Sequence, residues 1–347
     1  MNEKAPTIYD VAERAGVSIA TVSRVLTGGS ASSSSRTKVE EAISALGYKP
    51  SAPIRQDTRV IAMVLSPQTS PYYASMCEGA TAEALRAGYL PVLYSYPDTT
   101  PIERITDDLL ANKPAGALLA GFAVEQSLRQ DVTRSCLLRI QQAMPLVAIG
   151  PPIEGIECAR LTSDPSQCVR KSMAHLTMLG HRRIAFIGGD RSARFSNIRE
   201  AAYHEEAERL GCVVRPDYVA LTGVNAPAGE LAINILLGSI PQKEHPTAIF
   251  AINDLVALGA IAQLHRHNIR IPEDIAIVGC DNTYFAPSLT PSLTTVDLHP
   301  RAHGRSAVAE LIAAIQGSHT ISFNNNVECS LVIRESCGAH LGVRQFE

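Results

Sequence analysis

Residues 7–26 read TIYDVAERAGVSIATVSRVL, two short helical patterns separated by one glycine. Thr7 is suited to cap the first helix, because its hydroxyl can satisfy a free backbone N–H, and Asp10 stands three residues later as in a capping box. Gly16 ends this helix because glycine adopts the left-handed conformation at little cost. Ser18 is suited to cap the second helix. This stretch therefore predicts two short helices joined by a tight turn.

A third helical pattern follows Ser35, with apolar residues at i, i+3, i+4 and i+7. Three short helices at the start of the chain indicate a helix-turn-helix head, whose second helix enters the DNA major groove. On the outer face of that helix, Arg24 is suited to guanine or phosphate and Ile19 to thymine methyl groups. The alternative is a small helical cap packed on a larger domain.

The chain has 347 residues, of which 46% are hydrophobic and 19% charged, with a net charge of −3. This composition allows large cores and argues against disorder. No apolar run reaches the roughly 20 residues of a membrane span, and the polar N-terminus lacks a secretory signal, so we expect a cytoplasmic protein. The eight scattered cysteines predict buried free thiols and no metal site.

From about residue 60, short apolar runs alternate with helical patterns. The runs are VIAMVLS, LPVLYSY, AGALLAG, PLVAIG, RIAFIGG, TAIFAIN and IAIVGCD. Strands that alternate with helices predict parallel sheets built from βαβ units. Because the pattern occurs twice, we expect two lobes with a ligand cleft between them, at the carboxyl ends of the strands.

Motifs of common enzymes are absent, including GxGxxG, GxxxxGK[ST], GxSxG and HExxH. The histidines in HRRIAF at 181 and LHRHN at 264 are interpreted as solvated helix ends. Asp190, Asp254 and Asp281 allow an acid–base pair, but the interpretation as acceptors for a polar ligand is favoured. We therefore expect no enzymatic activity and no cofactor.

The head, with TIYDVAERAGVSIATVSRVL followed by SSSSRTKVEEAISALGYKP, closely resembles that of the lactose-repressor (LacI/GalR) family of bacterial transcription regulators. The resemblance implies binding to a near-palindromic operator in double-stranded DNA. Ser32 and Arg36 are expected near phosphates. The full set of expected DNA-binding residues is Thr7, Tyr9, Ser18, Ile19, Ala20, Thr21, Ser23, Arg24, Ser32, Arg36 and Ile54.

The remainder resembles the core of the same family, a two-lobed α/β fold like that of periplasmic sugar-binding proteins. The landmarks are SPYYASM (70–76), LGHRRIAFIGG (179–189), FAINDLVALGA (250–260), IPEDIAIVGCDN (271–282) and LTPSLTTVD (289–297). The resemblance implies effector contacts from Pro71, Tyr72, Arg199, Asn253 and Asp281. Arginine, aspartate and asparagine together suit a sugar-like ligand with many hydroxyl groups.

The resemblance also implies the domain organisation. The head covers residues 1–50, a hinge 51–60 and the core 61–347. The first lobe would comprise about 61–161 and 293–322, and the second about 162–292 and 323–338, with crossings near 161, 292 and 322. The tail has no leucine heptads, so a coiled coil is not expected and a homodimer is the default.

The linker PSAPIRQDTRVIAMV (50–64) departs from the family pattern. Ser51 replaces the usual asparagine, Pro53 interrupts the hinge helix, and the stretch is about one helical turn short. The leucine that wedges into the DNA minor groove is missing, and Ile54 is the one large apolar candidate for this role. We therefore expect the protein–DNA complex to be weaker or its DNA to be bent differently. Replacing this linker with a standard family hinge is expected to tighten DNA binding.

Two further departures affect the cleft. Gly150 stands where an acidic residue is common, and Val224 where an aromatic ring often stacks on a sugar. The loss of both argues against a simple hexose. Another aromatic platform could come from Phe122, Phe195, Tyr284 or Phe285.

We interpret the chain as a regulator, most simply a repressor, controlled by a small polar effector bound between the lobes. The first alternative is an effector-binding protein of the same fold whose shortened hinge has weakened or abolished operator binding. The second is a free solute-binding protein, which the missing secretory signal disfavours.

Overall fold

The protein is described as a computed structural model. It covers residues 7–26, 31–46, 48, 59–65, 70–97, 99–121, 130–150, 155–156, 158–162, 164–317, 325–326 and 328–342. The chain divides into two compact units, residues 1–58 and 59–347.

The first unit contains the three helices predicted from the sequence. They are α1 (Ile8–Ala15), α2 (Ile19–Leu26) and α3 (Ser33–Leu46). Small apolar side chains fill the space between them, which lets short helices pack closely. The buried core consists of Val11, Ala12, Ala15, Val22, Val25, Val39 and Ala42.

The predicted capping residues explain where these helices begin and end. Asp10 Oδ2 accepts hydrogen bonds from Thr7 N at 2.6 Å and Thr7 Oγ1 at 2.7 Å. Gly16 has φ = 63°, the left-handed conformation expected at the end of α1. Ser18 Oγ accepts from Thr21 N at 3.2 Å at the start of α2.

The third helix begins earlier than predicted. We expected it to follow Ser35, but it begins at Ser33. The reason is that the Ser32 hydroxyl accepts a hydrogen bond from Ser35 N at 3.2 Å and so caps the helix.

In the second unit, one six-stranded sheet forms the first lobe. Its strands are β1 (Val60–Leu65), β2 (Leu90–Ser95), β3 (Gly116–Ala120), β4 (Leu146–Ile149), β5 (Ala159–Thr162) and β11 (Asn325–Asn326), in the order β11-β5-β4-β3-β1-β2. All neighbouring strands are parallel. The lobe's helices are α4 (Pro71–Arg86), α5 (Ile102–Asn112), α6 (Gln130–Ala143) and α11 (Pro300–Ile315).

A second six-stranded sheet forms the second lobe. Its strands are β6 (Ile184–Ile187), β7 (Val219–Ala220), β8 (Ala248–Ala251), β9 (Ala276–Cys280), β10 (Thr294–Asp297) and β12 (Ser330–Val332), in the order β12-β10-β9-β8-β6-β7. Only β12 is antiparallel among the described pairs of this sheet. The lobe's helices are α7 (Pro165–Met178), α8 (Arg194–Arg209), α9 (Ala226–Ser239) and α10 (Asp254–Arg266).

The two sheets repeat one topology. In each sheet, the second strand lies on one side of the first strand and the third strand lies on the other side. The direction in which successive strands are added across the sheet therefore reverses between the first and third strands. Open α/β sheets bind ligands at such a switch point, at the carboxyl ends of the strands. The prediction of two lobes of parallel sheet is therefore confirmed.

Two of the three crossings between lobes lie later than the resemblance implied. Thr294–Asp297 pairs with Ala276–Cys280, so the second crossing follows Asp297 rather than residue 292. Asn325–Asn326 still pairs in the first sheet, so the third crossing follows residue 326 rather than 322. Strand pairing, which the landmark motifs do not display, sets both boundaries.

Reciprocal glycines bring helices into backbone contact in each lobe. A Cβ on Gly79 of α4 would collide with the Arg301 carbonyl of α11, and a Cβ on Gly304 of α11 would collide with that of Met76. Gly229 of α9 and Gly259 of α10 form a similar pair, each against the backbone of the other helix. The absence of Cβ atoms therefore sets how closely these helices pack.

Candidate DNA-binding head and effector cleft

The switch point of the second lobe lies between β6 and β8. Arg199 connects the elements that follow these two strands. Arg199 lies on α8, which follows β6, and its Nη1 donates to the carbonyl of Ile252, just after β8, at 2.7 Å. Its side chain is buried, and its Nε has no partner among the described residues. Burial opposes the charge, but Cys168, Cys280 and Asp281 hold the pKa of Arg199 above its ordinary value. The cleft therefore contains a fixed cation with an unused donor.

Asp281 follows β9 and faces the same space. Its φ of 116° is a strained conformation for a residue with a Cβ, and its N–H donates to the Val296 carbonyl at 2.8 Å. Within the described ranges, no hydrogen bond to its carboxylate is found. Burial raises the pKa of Asp281 well above its ordinary value, with Asp254 adding to this effect and Arg199 opposing it. Strain and an unsatisfied acceptor are typical of a binding site.

Asp254 is fully buried beside this loop, and its hydrogen bonds are satisfied by the protein. Oδ2 accepts from Thr283 N at 2.7 Å and Thr283 Oγ1 at 2.9 Å, and Oδ1 accepts from Thr295 Oγ1 at 2.5 Å. Burial raises the pKa of Asp254 to about 6, although the bonds from Thr295 and Thr283 act to lower it. Asp254 therefore ties the 281–283 loop to helix α10 and strand β10 and does not face a ligand.

Asn253 caps α10 and also holds the neighbouring loop. Its Oδ1 accepts from Val256 N at 2.9 Å, and its Nδ2 donates to the Val224 carbonyl at 2.9 Å. One amide hydrogen and one oxygen lone pair remain for a ligand. The structure therefore shows a structural role for Asn253, and its role as an effector contact stays a prediction.

The first lobe contributes Pro71 and Tyr72 from the start of α4. Pro71 occupies the first turn, where its missing N–H costs nothing. Tyr72 is half-buried and packs against the hydrophobic cores of both lobes. Its hydroxyl also acts electrostatically on Arg199. The structure thus brings Tyr72 together with Arg199 and Asp281 across the two lobes.

Hydrogen bonds bear on two further interpretations from the sequence. Asp190 accepts from Ser192 N at 2.8 Å and Ser192 Oγ at 2.7 Å, so it forms a turn rather than an acid–base pair. The interpretation of His181 as solvated was wrong. His181 is buried, and its Nδ1 lies 2.9 Å from Thr247 Oγ1.

Phe195, one of the candidate aromatic platforms, lies against the charged side chain of Arg199. The Arg199 guanidinium carbon is 5.4 Å from the centroid of its ring. Tyr284 is highly exposed and packs edge to face with Phe285 at 5.5 Å. Phe122 lies outside the described residues.

The cysteines are free thiols, as expected, and six of the eight are buried. In the described part of the chain, no group of His, Cys, Asp or Glu side chains is arranged to hold a metal ion. None of the helices in this part is long and apolar enough to cross a membrane.

In the head, the structure describes the side chains of some predicted DNA contacts. Ser18 and Ile19 are exposed at the start of α2, and Thr21 lies beside them, with its hydroxyl 2.9 Å from that of Ser18. Ser32 is exposed at the start of α3 and Arg36 is half-exposed. The side chains of Tyr9, Ala20, Ser23 and Arg24 lie outside the described parts, as do Ser51, Pro53 and Ile54 of the hinge.

Comparison with known proteins gives matches to both units. Residues 7–51 match the family model described as bacterial regulatory proteins, lacI family, and residues 173–337 match the periplasmic binding protein-like domain. The HTH-type transcriptional repressor CytR of Escherichia coli K12 is 30% identical over 344 residues, which cover 97% of this chain and 98% of that protein. The chain belongs to the LacI family.

Solved structures of LacI-family regulators share this fold. The lac repressor dimer bound to operator and the anti-inducer ONPF matches with a TM-score of 0.73 at 26% identity, covering 96% of this chain and 99% of that one. The CelR–cellobiose complex matches with a TM-score of 0.71 at 29% identity, covering 95% and 99%. This LacI-family protein is therefore a DNA-binding transcription regulator and not an enzyme.

The site contains polar residues that sequence reasoning missed. The bonds of Thr283 and Thr295 to Asp254 are invisible in the sequence, because the three residues come from separate elements. His303 is a further buried polar residue that sequence reasoning did not single out, although a signal exists. It lies in the apolar stripe of α11 with Ala307, Val308 and Leu311, where a histidine is unusual.

Proposed function

We propose that this LacI-family regulator is a homodimeric repressor whose operator affinity is controlled by a small polar effector bound between the core lobes. The observation that carries the proposal is the meeting of Tyr72 from the first lobe with Arg199 and Asp281 from the second. A ligand held by residues of both lobes favours one lobe arrangement over another, which is the requirement for control by binding.

The free hydrogen-bonding groups define the effector class. Arg199 offers an unused buried donor, and Asp281 offers an unbonded carboxylate. A carboxylate beside a fixed arginine suits adjacent hydroxyl groups, as in a sugar, a polyol or a ribose. CelR, which shares this fold, is described in complex with cellobiose, which supports a sugar-like effector here.

The proposed DNA contacts are the residues on and around α2, together with Ser32 and Arg36. Exposed Ile19 is suited to a thymine methyl group, and Ser18 to a phosphate oxygen. The lac repressor, solved as a dimer on its operator, supports a near-palindromic site for a two-fold dimer.

The alternative is a protein that binds its effector but has lost operator binding through the shortened hinge. The sequence observation behind it is the missing turn and missing leucine in residues 50–64. Without a minor-groove wedge, DNA is bent less and fewer contacts form.

One experiment distinguishes the two proposals. The purified protein is used to select from a randomised library of about 20 base pairs, and the enriched site is titrated over a salt series. The repressor proposal predicts that a near-palindromic sequence is enriched and that it is bound at least about a thousandfold more tightly than random DNA. Weak binding with no enriched sequence favours the alternative.

The effector site has its own test. Thermal shift with cellobiose, D-galactose, D-ribose and adenosine identifies binders, and calorimetry then compares Arg199→Lys and Asp281→Asn with the unmodified protein. Both variants are expected to lose at least about tenfold in affinity, because lysine lacks the guanidinium fork and asparagine lacks one of the two acceptor oxygens. Unchanged affinity in both would place the effector elsewhere.

A further inference from the structure

His303 is a buried histidine without hydrogen-bond partners. Its side chain is 1% exposed, and neither Nδ1 nor Nε2 has a partner among the described residues. A neutral imidazole has one donor and one acceptor, and leaving both unsatisfied in the interior destabilises the protein. Such a group is rare and indicates a partner that the described residues do not supply.

The position of His303 along α11 places it at the cleft edge of the first sheet. Leu311 and Ile315, near the end of α11, lie over Gly116 at the amino end of β3. His303 precedes Leu311 by eight residues, or about 12 Å of helix. That distance is close to the length of the five-residue strand β3. His303 therefore lies level with the carboxyl ends of the strands.

On one side, His303 is close to the start of α4. The next residue, Gly304, is in backbone contact with Met76, one helical turn after Tyr72. Tyr72, from the first lobe, packs against the core of the second lobe and acts electrostatically on Arg199.

On the other side, hydrogen bonds connect His303 to the Asp281 loop. His303 N donates to the His299 carbonyl at 3.1 Å, and His299 N donates to Asp297 Oδ1 at 2.7 Å. Asp297 Oδ2 in turn accepts from Asn282 Nδ2 at 3.1 Å, next to Asp281. Asp297 also acts electrostatically on both His303 and Asp281, so one carboxylate lies near both.

We propose that His303 is a further effector-binding residue, which forms a hydrogen bond from the first lobe to a hydroxyl of the bound effector. This inference rests on the proposed effector site. Asp281 and Arg199 hold the effector from the second lobe, and His303 holds it from the first. The effector then satisfies the imidazole only when the lobes close on it, which links binding to lobe closure.

The test uses His303→Leu, with His303→Gln as the conservative variant and His175→Leu as the matched control. His175, in the last turn of α7, also has a buried nitrogen without a partner, but it lies in the second lobe. Affinities for cellobiose, D-galactose, D-ribose and adenosine are measured by calorimetry, and melting temperatures are measured without ligand.

We expect His303→Leu to raise the melting temperature and to lower the affinity for the bound probe by at least about tenfold. His303→Gln, which can still donate and accept, is expected to recover part of that affinity. His175→Leu should leave the affinity unchanged. A purely structural His303 would show a lower melting temperature in His303→Leu and the same affinity.

The result separates this inference from the proposed function. If Asp281→Asn loses affinity while His303→Leu binds as the unmodified protein does, the effector site stands and the role of His303 is overturned. If Asp281→Asn also binds normally, the proposed effector site itself is wrong.

Discussion

Asp254, at the start of helix α10, and Asp281, in the loop after β9, are two carboxylates with opposite hydrogen-bonding states. Asp254 accepts three hydrogen bonds from Thr283 and Thr295, whereas no hydrogen bond to the Asp281 carboxylate is found among the described residues. The stabilising contacts and the proposed ligand contact therefore fall on different carboxylates. The first holds the loop in place, and the second, in a strained backbone conformation, remains available.

This difference predicts opposite effects of substitution on stability. Asp254→Ala should lower the free energy of unfolding by about 3 kcal/mol, because it leaves buried Thr283 and Thr295 donors unsatisfied. Asp281→Ala should leave stability unchanged or slightly increased, because it removes a partly buried acceptor without a partner. Urea denaturation of both variants measures the difference. A larger loss for Asp281→Ala would contradict this division of roles.

The pKa of His303 predicts a pH dependence of stability. Burial, with a smaller contribution from His299, lowers the pKa of His303 from 6.5 to about 4. Between these values the unfolded chain binds a proton that the folded chain does not, so stability falls as pH decreases through this window. Asp254, with its pKa raised to about 6, acts in the opposite direction. The His303 contribution must therefore be isolated by difference.

We expect the stability gap between the unmodified protein and His303→Leu to widen by about 2 kcal/mol from pH 7 to pH 5. The variant should lose less stability on acidification, because it has no imidazole to protonate. Chemical denaturation at the two pH values, with His175→Leu alongside, measures this gap. A gap that stays constant would mean that His303 titrates normally in the folded protein.

At the residue scale, the resemblance led to Arg199 and Asp281, because both stand in recognisable motifs. It did not reveal the hydrogen bonds of Asp254. Thr283 and Thr295 are polar residues without a distinguishing pattern, and they meet Asp254 only when loop and strand fold together. Asn253 was predicted as an effector contact, and the structure shows that it also caps α10.

At the scale of elements, helix packing in each lobe depends on glycine. Gly304 of α11 lies against the Met76 backbone, and Gly79 of α4 against that of Arg301. Helix α11 begins directly after the second crossing. The packing of α11 against α4 therefore also determines the positions of His303 and of the crossing. These contacts therefore position the first-lobe side of the cleft as well as stabilising it.

Gly304→Ala should destabilise the protein by about 1–3 kcal/mol, because the added methyl group forces α11 away from α4. Gly238→Ala is the matched control, since Gly238 lies in helix α9 with open space around its Cα. It should stabilise the protein by about 0.5–1 kcal/mol, the usual gain when alanine replaces glycine in a helix. Thermal unfolding of both variants gives the sign. Equal effects would show that the helix contact is loose.

Strands β1 to β4, β6, β8 and β9 could be predicted because each is a continuous apolar run of the kind found in buried parallel strands. Strand β10 (Thr294–Asp297) could not, because it is short and polar. Its Thr295 hydroxyl is directed at Asp254, so burial of this strand depends on a hydrogen bond and not on hydrophobicity. This is why the second crossing was placed too early.

At the scale of the whole molecule, the chain passes between the lobes three times, so a change in lobe arrangement moves all three crossings. Asp297 ends strand β10, where the second crossing begins, and it accepts a hydrogen bond from the backbone N–H of His299 in that crossing. Asp297 is also bonded to Asn282, beside the proposed effector residue Asp281. The proposed binding of the effector at Asp281 would therefore act close to a crossing, which offers a physical route from ligand to lobe arrangement.

The edge of the first sheet is a surface suited to dimerisation. Strand β2 is the last strand of that sheet, and Leu90 and Val92 on it are exposed, with Leu90 at 58%. Leu85, at the end of α4, is also exposed. An edge strand with apolar side chains invites pairing unless a partner covers it. We therefore expect a second copy of this chain to cover it.

Leu90→Lys should convert the dimer to monomers in sedimentation analysis, because a charge at the interface centre cannot be desolvated without a partner. Met178→Lys is the control, since Met178 is 75% exposed on α7 of the second lobe. A monomer carries one head, so Leu90→Lys should also lose about a hundredfold or more in affinity for a two-half-site operator. Its affinity for one half-site should not change. A dimeric Leu90→Lys protein would place the interface on another surface, whereas a monomer that keeps full operator affinity would refute the two-headed mode of binding.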